Sequence, residues 1–346
     1  MPTAAWKSTF PSMSDDAILV IADQKQFPPA VFLASRLAAL RGSRNVEIVV
    51  ASDWQPGLEQ AREFGVPFTL LDIAKVHADL ALPTSGYFTR AAYHSLFVPA
   101  LLHSKYRRLI YLDVDTYCES EKIFSLFDLD MRGYAVAAVR DLVVPFHPNP
   151  FNAAELLSTL AIKPHDRLGA KYLNSGVLLI DLAAYRSERI EKRALGVIRE
   201  QRLELRMVDQ TVFNAILRMQ WLELSPSFNM VTRAWATFVR RFAPPVIVHF
   251  TGSVKPWHRA FVDDHPVRRE LPGFLKDTPW STYIDDVNPP PRLIGNVRIP
   301  EPPSPQRPSW VGENLTALVR VLRDTPFADV EQGLTTLDFS ALPAVE

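Results

Sequence analysis

The chain reads as an α/β fold built on a mostly parallel sheet, and three observations predict it. Short apolar runs such as 17–22 have the length of strands buried on both faces. They alternate with stretches of helical period at the spacing of βαβ units. Several of them end in residues that bind ligands, among them Asp23, Asp113 and His249. Open α/β sheets bind ligands beyond the carboxyl ends of their strands, so these positions are the first to test.

Residues 17–22, Ala-Ile-Leu-Val-Ile-Ala, form the first predicted strand and end at Asp23. Pro28 and Pro29 open a helix through Leu40, since proline fits the first turn where an amide has no partner. A strand follows over 46–50, a helix over 57–64 and a strand over 68–71. Helical period returns over 89–103 despite Pro99, and an apolar strand then runs into Asp113. In the second half the spacing predicts strands over 135–139, 177–181 and 246–250, and helices over 184–203 and 209–219. Residues 288–308 hold a cluster of prolines and read as a linker or extended arm; one modest helix is expected over 314–323.

At 346 residues and 47% hydrophobic content the chain can bury a large core, near the upper limit for one domain. Its 38 basic and 38 acidic side chains give no net field to favour nucleic acid. An anionic ligand must therefore be held locally. The single cysteine, Cys118, excludes a disulfide framework and reads as a small buried hydrophobe. The N-terminus shows no secretory pattern and no apolar run is long enough to span a bilayer, so a cytoplasmic location is expected, with peripheral attachment to the inner membrane left open.

Four segments carry chemistry. Asp113-Val114-Asp115 places two acids at i and i+2 behind an apolar strand, where alternation would aim both carboxylates at one divalent cation. Asn174-Ser175-Gly176 runs straight into an apolar strand and taken alone is a tight turn. Asp209 is a fitting helix N-cap, with Gln210 just inside the helix. A further strand delivers His249, followed by Gly252 and Lys255 in a loop; an imidazole added to two carboxylates makes an N,O site suited to Mn²⁺ or a similar ion.

Together and in this order the segments resemble glycosyltransferase family 8, retaining enzymes of the GT-A fold. The resemblance covers 16–260 and rests on Asp113-Val114-Asp115, then Asn174-Ser175-Gly176-Val177 with Asp181-Leu182, then Asp209-Gln210-Thr211, then His249-Phe250-Thr251-Gly252 with Lys255-Pro256-Trp257. It implies a GT-A domain over 16–285, flanked by a tail at 1–15, the proline-rich arm at 286–310 and a helical tail at 311–346. It further implies a UDP-sugar donor, UDP-galactose or UDP-glucose, and a glycan or glycolipid acceptor, as in lipopolysaccharide synthesis. Asp113, Asp115 and His249 would hold Mn²⁺. Asp23, Val114, Asn174, Ser175, Asp209, Gln210, Gly252 and Lys255 would complete the donor site, with Gln210 and Asp209 as the catalytic pair. Asp141 and Trp257 are placed on the acceptor side, though each has an equally good structural reading as a turn or packing residue.

Gln210 is a poor nucleophile, so the resemblance implies attack by the acceptor hydroxyl from the leaving-group face, with the amide carbonyl steadying positive charge on the sugar. Two residues depart from the family pattern. Ser95 stands where an arginine is usual, and Thr211 where an acid is common. They motivate an alternative, a sugar-nucleotide-binding protein without transfer activity. A second alternative, a haloacid-dehalogenase-like phosphatase, shares the D-x-D strand but leaves the other three segments unexplained.

Overall fold

The run 17–22 lies at the heart of the sheet because each of its apolar side chains has a core to enter. In strand β1 (Asp16–Ala22), Ile18, Val20 and Ala22 join one buried cluster, while Ala17, Leu19 and Ile21 join another. Side chains alternate faces along a strand, so a strand between two apolar layers has no polar positions. The same division holds for Ile110 and Leu112 against Leu109 and Tyr111. This computed structural model describes residues 14–78, 80, 82, 89–141, 156–163, 170–200, 205, 207–232, 239–252, 254–261, 263–287, 319–330 and 333–337. The expected proline-rich arm lies outside the described residues, and of the expected late helix 319–324 is seen.

Helix α1 (Phe27–Arg41) starts with the two prolines in its first turn. Strand β2 (Val46–Ser52), helix α2 (Gln55–Phe64) and strand β3 (Thr69–Asp72) follow as expected. Thr89 caps helix α3 (Arg90–Leu102) by accepting from the Ala91 amide. Pro99 sits inside α3 and withholds the amide that would meet the Ser95 carbonyl, yet the apolar face of the helix keeps it in place. The chain continues through strands β4 (Arg108–Leu112), β5 (Thr116–Cys118), β6 (Val136–Arg140) and β7 (Leu173–Asp181).

Helices α4 (Leu182–Ser187), α5 (Ile190–Glu200) and α6 (Val208–Leu217) cover the face that α3 also covers. One helix was expected over 184–203; it is broken where Arg189 takes a positive φ of 54°. Three short strands follow: β8 (Leu222–Glu223), β9 (Met230–Val231) and β10 (Ile247–His249). The main sheet has the order β3-β2-β1-β4-β7-β6-β8. Its pairs are parallel except on the two sides of β7, which runs against β4 and β6. A smaller sheet, β5-β10-β9, stands beside the carboxyl end of β4. The expected strand at 246–250 thus belongs to this small sheet, not to the main one.

Helices α7 (Val267–Leu275) and α8 (Tyr283–Val287) return across α1 and close the other face. Specific polar contacts fix this return. Glu270 accepts from Tyr117 Oη at 2.6 Å and pairs with Arg36 at 3.3 Å, while Arg36 lies over the Tyr117 ring. Tyr283 Oη donates to the Lys25 carbonyl at 2.6 Å, and Trp280 Nε1 to Gln60 Oε1 at 3.0 Å. Cys118 is fully buried, and burial pushes its thiol up to about 12, the inert behaviour expected of it. Among the described residues no helix is long and apolar enough to cross a membrane.

Candidate active site

The two aspartates meet in a turn, not along a strand as their i, i+2 spacing suggested. Strand β4 stops at Leu112, and the Thr116 amide donates to the Asp113 carbonyl at 3.1 Å, folding 113–116 back on itself. Strand β5 then pairs with β10, which sets His249 opposite Thr116. Phe250 N donates to the Asp115 carbonyl at 2.9 Å, locking the two segments together. His249 Nε2 ends 3.2 Å from Asp115 Oδ1 and 3.7 Å from Asp113 Oδ2.

Asn174-Ser175-Gly176, expected as a turn, lies inside β7. Against β6 the register slips: Ala138 faces Leu178, but Val139 faces Asn174. The three residues between therefore bulge from that pairing, and bulges commonly re-aim side chains beside active sites. Gly176 O accepts from Asp113 N at 2.8 Å, so the bulge borders the aspartate turn. A Cβ on Gly176 would come 2.2 Å from His249 Cε1 and 3.0 Å from Asp113 Oδ2. The glycine is there because the imidazole occupies the space a side chain would need.

Helix α6 brings the next two residues. Met207, not Asp209, holds its N-cap position, and Asp209 and Gln210 occupy the first turn. Val208 before them has a φ of 48°, a strained conformation for a β-branched residue and of the kind that clusters at functional sites. Gln210 Nε2 donates to Asp141 Oδ2 at 3.1 Å, and its Oε1 accepts from Ser175 N at 3.2 Å. Asn174 Nδ2 donates to the same Asp141 oxygen at 3.1 Å. Asp141 thus fixes two site amides, and its neighbour Arg140 is anchored by a buried two-point bond to Glu223 at 2.7 and 2.8 Å. Asp209 Oδ2 accepts from Ser95 Oγ at 2.9 Å. Thr211 is fully buried away from the cleft and accepts from Met207 N, so no acid there would face a substrate.

Charge crowding follows from this convergence. Burial and the nearby Asp115 charge raise the Asp113 carboxyl from its ordinary value. For Asp115 burial also opposes ionisation, but His249 and Lys255 outweigh it and hold its carboxyl well below that range. Burial pulls the His249 imidazole down; Asp115 and Asp113 more than compensate, and it is raised. Burial and the charge of Asp113 push Asp209 up to about 7. Titratable groups driven apart in this way are typical of functional sites.

These groups border a cavity of about 180 Å³, whose wall includes Asp113, Val114, Asp115, Asp141, Asn174 and Ser175. Asp209, Gln210, His249, Gly252 and Lys255 complete that side. Lys255 bonds to Asp115 Oδ2 and to the Phe250 carbonyl. Ile21, Gln26 and Thr89 also line the cavity, and Asp23 braces two of them, accepting from Gln26 N at 3.0 Å and Thr89 Oγ1 at 2.8 Å. Trp257, considered for the acceptor side, is 7% exposed and packs in the core beneath the loop instead of on this wall. Arg90, in the first turn of α3, donates to the carbonyls of Leu80 and His77 and so does not stand in for the arginine absent at 95.

The donor set fits a divalent ion. Two carboxylate oxygens and one imidazole nitrogen lie within 4.8 Å of one another, the only such group of three among the described residues. Ligands about 2.1 Å from a shared ion sit about 3 Å apart when adjacent, close to the distances from His249 Nε2. Two contributors escaped sequence reasoning. Tyr111 Oη donates to Asp113 Oδ1 at 2.6 Å, and Asn229 Oδ1 lies 2.9 Å from His249 Nδ1. Tyr111 had a signal, since it lies two residues before Asp113 on the same strand; Asn229 had none.

A model of glycosyl transferase family 8 matches residues 54–260. The chain belongs to glycosyltransferase family 8. General stress protein A of Bacillus subtilis (strain 168) is 32% identical over 239 residues, covering 65% of this chain and 78% of that protein. The lipopolysaccharide 1,2-glucosyltransferase of Escherichia coli (strain K12) is 27% identical over 208 residues, 58% of each chain. The match thus spans little more than half the length of that transferase. In fold, the family 8 chain is similar to the galactosyltransferase LgtC solved with donor and acceptor sugar analogues, with TM-score 0.61 and 20% identity over 77% of this chain and 99% of that one. The α/β core is therefore of GT-A type, and family membership removes the phosphatase alternative.

Proposed function

We propose that the protein is a metal-dependent retaining hexosyltransferase that moves a sugar from a UDP-hexose, UDP-galactose or UDP-glucose, to a hydroxyl of a glycan or glycolipid. One observation carries the reading: Asp113, Asp115 and His249, distant in sequence, converge on the cavity that Asn174, Asp209 and Gln210 also line. A divalent ion such as Mn²⁺ held by the first three would neutralise the diphosphate as it leaves. Lys255, already at Asp115, adds a second positive charge to that end of the cavity. The nucleoside is assigned to the part of the cavity lined by Ile21, Gln26 and Thr89, two of which Asp23 braces.

Gln210 serves better as a positioned dipole than as a nucleophile. Both ends of its amide are already hydrogen-bonded, to Asp141 and to Ser175 N, so the group is held and not free to swing. In this reading its carbonyl would steady positive charge on the departing sugar, while the acceptor hydroxyl attacks from the diphosphate side and a phosphate oxygen takes its proton. The named lipopolysaccharide transferase among the relatives points to lipopolysaccharide or surface-polysaccharide synthesis at the cytoplasmic face of the inner membrane.

The test is a screen of UDP release over UDP-hexoses and UDP-N-acetylhexosamines with Mn²⁺, with and without a glycan acceptor, repeated with Asp115→Ala. Release on one hexose that vanishes in the variant is expected. Saturable UDP binding with no release on any donor would instead favour the inactive binding protein, the reading that Ser95 in the usual arginine position motivates.

A further inference from the structure

We propose that Asn229 is a positioning residue for the metal centre, fixing which nitrogen of His249 faces Asp113 and Asp115; this rests on the reading of that cluster as a divalent-cation site. Two groups of fixed polarity set the direction of a buried hydrogen-bond chain. The Gly176 amide can only donate, and it gives to Asn174 Oδ1 at 3.0 Å. Asp141, as a carboxylate, only accepts, and it takes Asn174 Nδ2 at 3.1 Å. Asn174 therefore has one orientation.

The rest of the chain follows from that. Asn174 Oδ1 also accepts from Asn229 Nδ2 at 2.8 Å, which turns the Asn229 carbonyl oxygen towards His249. Nδ1 of the imidazole lies 2.9 Å from that oxygen. Two acceptors make no bond without a proton between them, so Nδ1 carries it. In the neutral ring that metal binding requires, Nε2 is then left with the lone pair and points at Asp115 Oδ1 and Asp113 Oδ2, where three donors can share one ion. Asn229, Asn174 and His249 are 3%, 5% and 4% exposed, so bulk water does not compete for these bonds. Without Asn229 the neutral ring is free to place its proton on Nε2, donate to Asp115 and turn its lone pair away from the ion.

Asn229 reaches this place through the small sheet. It ends the short turn Pro226–Asn229, and the next residue begins β9, which pairs with β10 at Met230 and Val248. Twenty residues of sequence separate it from His249, and the pairing of β9 with β10 removes that distance.

Calorimetric titration of Mn²⁺ into the full chain, without nucleotide, tests the proposal. Asn229→Ala is expected to bind Mn²⁺ about 10- to 100-fold more weakly than the wild type. Asn229→Asp still accepts from Nδ1 and is expected to stay within about threefold of it. Both variants lose the bond to Asn174 and melt earlier, so a role in packing alone would weaken the metal in both alike. Equal Mn²⁺ affinity in wild type and Asn229→Ala overturns the proposal, and so does equal weakening in both variants. Should Asn229→Ala fail to fold, ring ¹⁵N NMR of the metal-free wild type, above the titration of His249, decides: a proton on Nδ1 is expected, and one on Nε2 overturns it. If the wild type binds no Mn²⁺, the metal reading itself fails and this inference falls with it.

Discussion

The backbone of Gly176 lies against the imidazole of His249, close enough that a methyl group there would sit 2.2 Å from Cε1. Gly176→Ala must therefore displace the ring or open β7. Overpacking of this kind costs about 1–3 kcal/mol. Mn²⁺ affinity is expected to fall about tenfold or more, because the displaced ligand no longer meets both carboxylates. Urea unfolding and calorimetry check the two effects separately.

Gln210→Glu would bring a second carboxylate to Asp141 Oδ2, now reached by the Gln210 amide at 3.1 Å. Two like charges at that distance do not both ionise readily, so one keeps a proton at the lower end of the pH range. Transfer is expected to fall at least about tenfold at pH 8, and to recover in part towards pH 5.5, where the protonated acid imitates the amide. A pH profile of UDP release with the active donor measures this; a drop of equal size at all pH values would contradict it.

Asp209 gives a stability signature. Burial and the Asp113 charge push its carboxyl up to about 7 from the usual 3.8, so its contribution is complete below about pH 4 and is lost as pH rises through 7. At about 1.4 kcal/mol per pH unit the loss amounts to a few kcal/mol. Metal-free Asp209→Asn is expected to lose less stability than the wild type between pH 5 and 8. Denaturant midpoints at the two pH values check it.

His94 behaves in the opposite sense. It is 2% exposed on α3 with neither ring nitrogen bonded, and burial, with the charges of Arg90 and His77, pulls its pKa down to about 4 from 6.5. The folded state binds this proton less readily, so stability present above pH 6.5 is lost as pH falls towards 4. His94→Leu is expected to match the wild type near pH 7.5 and to exceed it by on the order of 2–3 kcal/mol near pH 4.5. Thermal melts at both pH values would show the crossover.

The first half of the fold is plain in the sequence because its signals are local. Pro28 and Pro29 fit the first turn of the helical stretch that follows them, Thr89 caps another, and 17–22 is apolar at every position. The aspartate pair and His249 were legible as candidates for one site, and they do cluster, but the way they meet was not legible. The turn at 113–116 closes because β10 lies against β5, and the bulge at 175–177 exists only through its mismatch with β6. Those are pairings between distant segments, which short-range periodicity does not encode. The break at Arg189 is a case of a different kind: helical period continues across it while one backbone angle ends the helix. Asn229 stayed invisible because an asparagine between a short turn and a two-residue strand carries no pattern at all.

The family 8 match ends at residue 260, but the return across α1 by α7 and α8 does not. Tyr283 reaches back to the carbonyl of Lys25, within the loop that runs from Asp23 to Gln26. A polypeptide cut after 260 would retain every motif by which the family is known and yet lose one of the bonds that hold that loop, leaving those of Asp23 to Gln26 and Thr89. One anchor of the loop behind the cavity thus stands on α8, past the last residue that the family match covers.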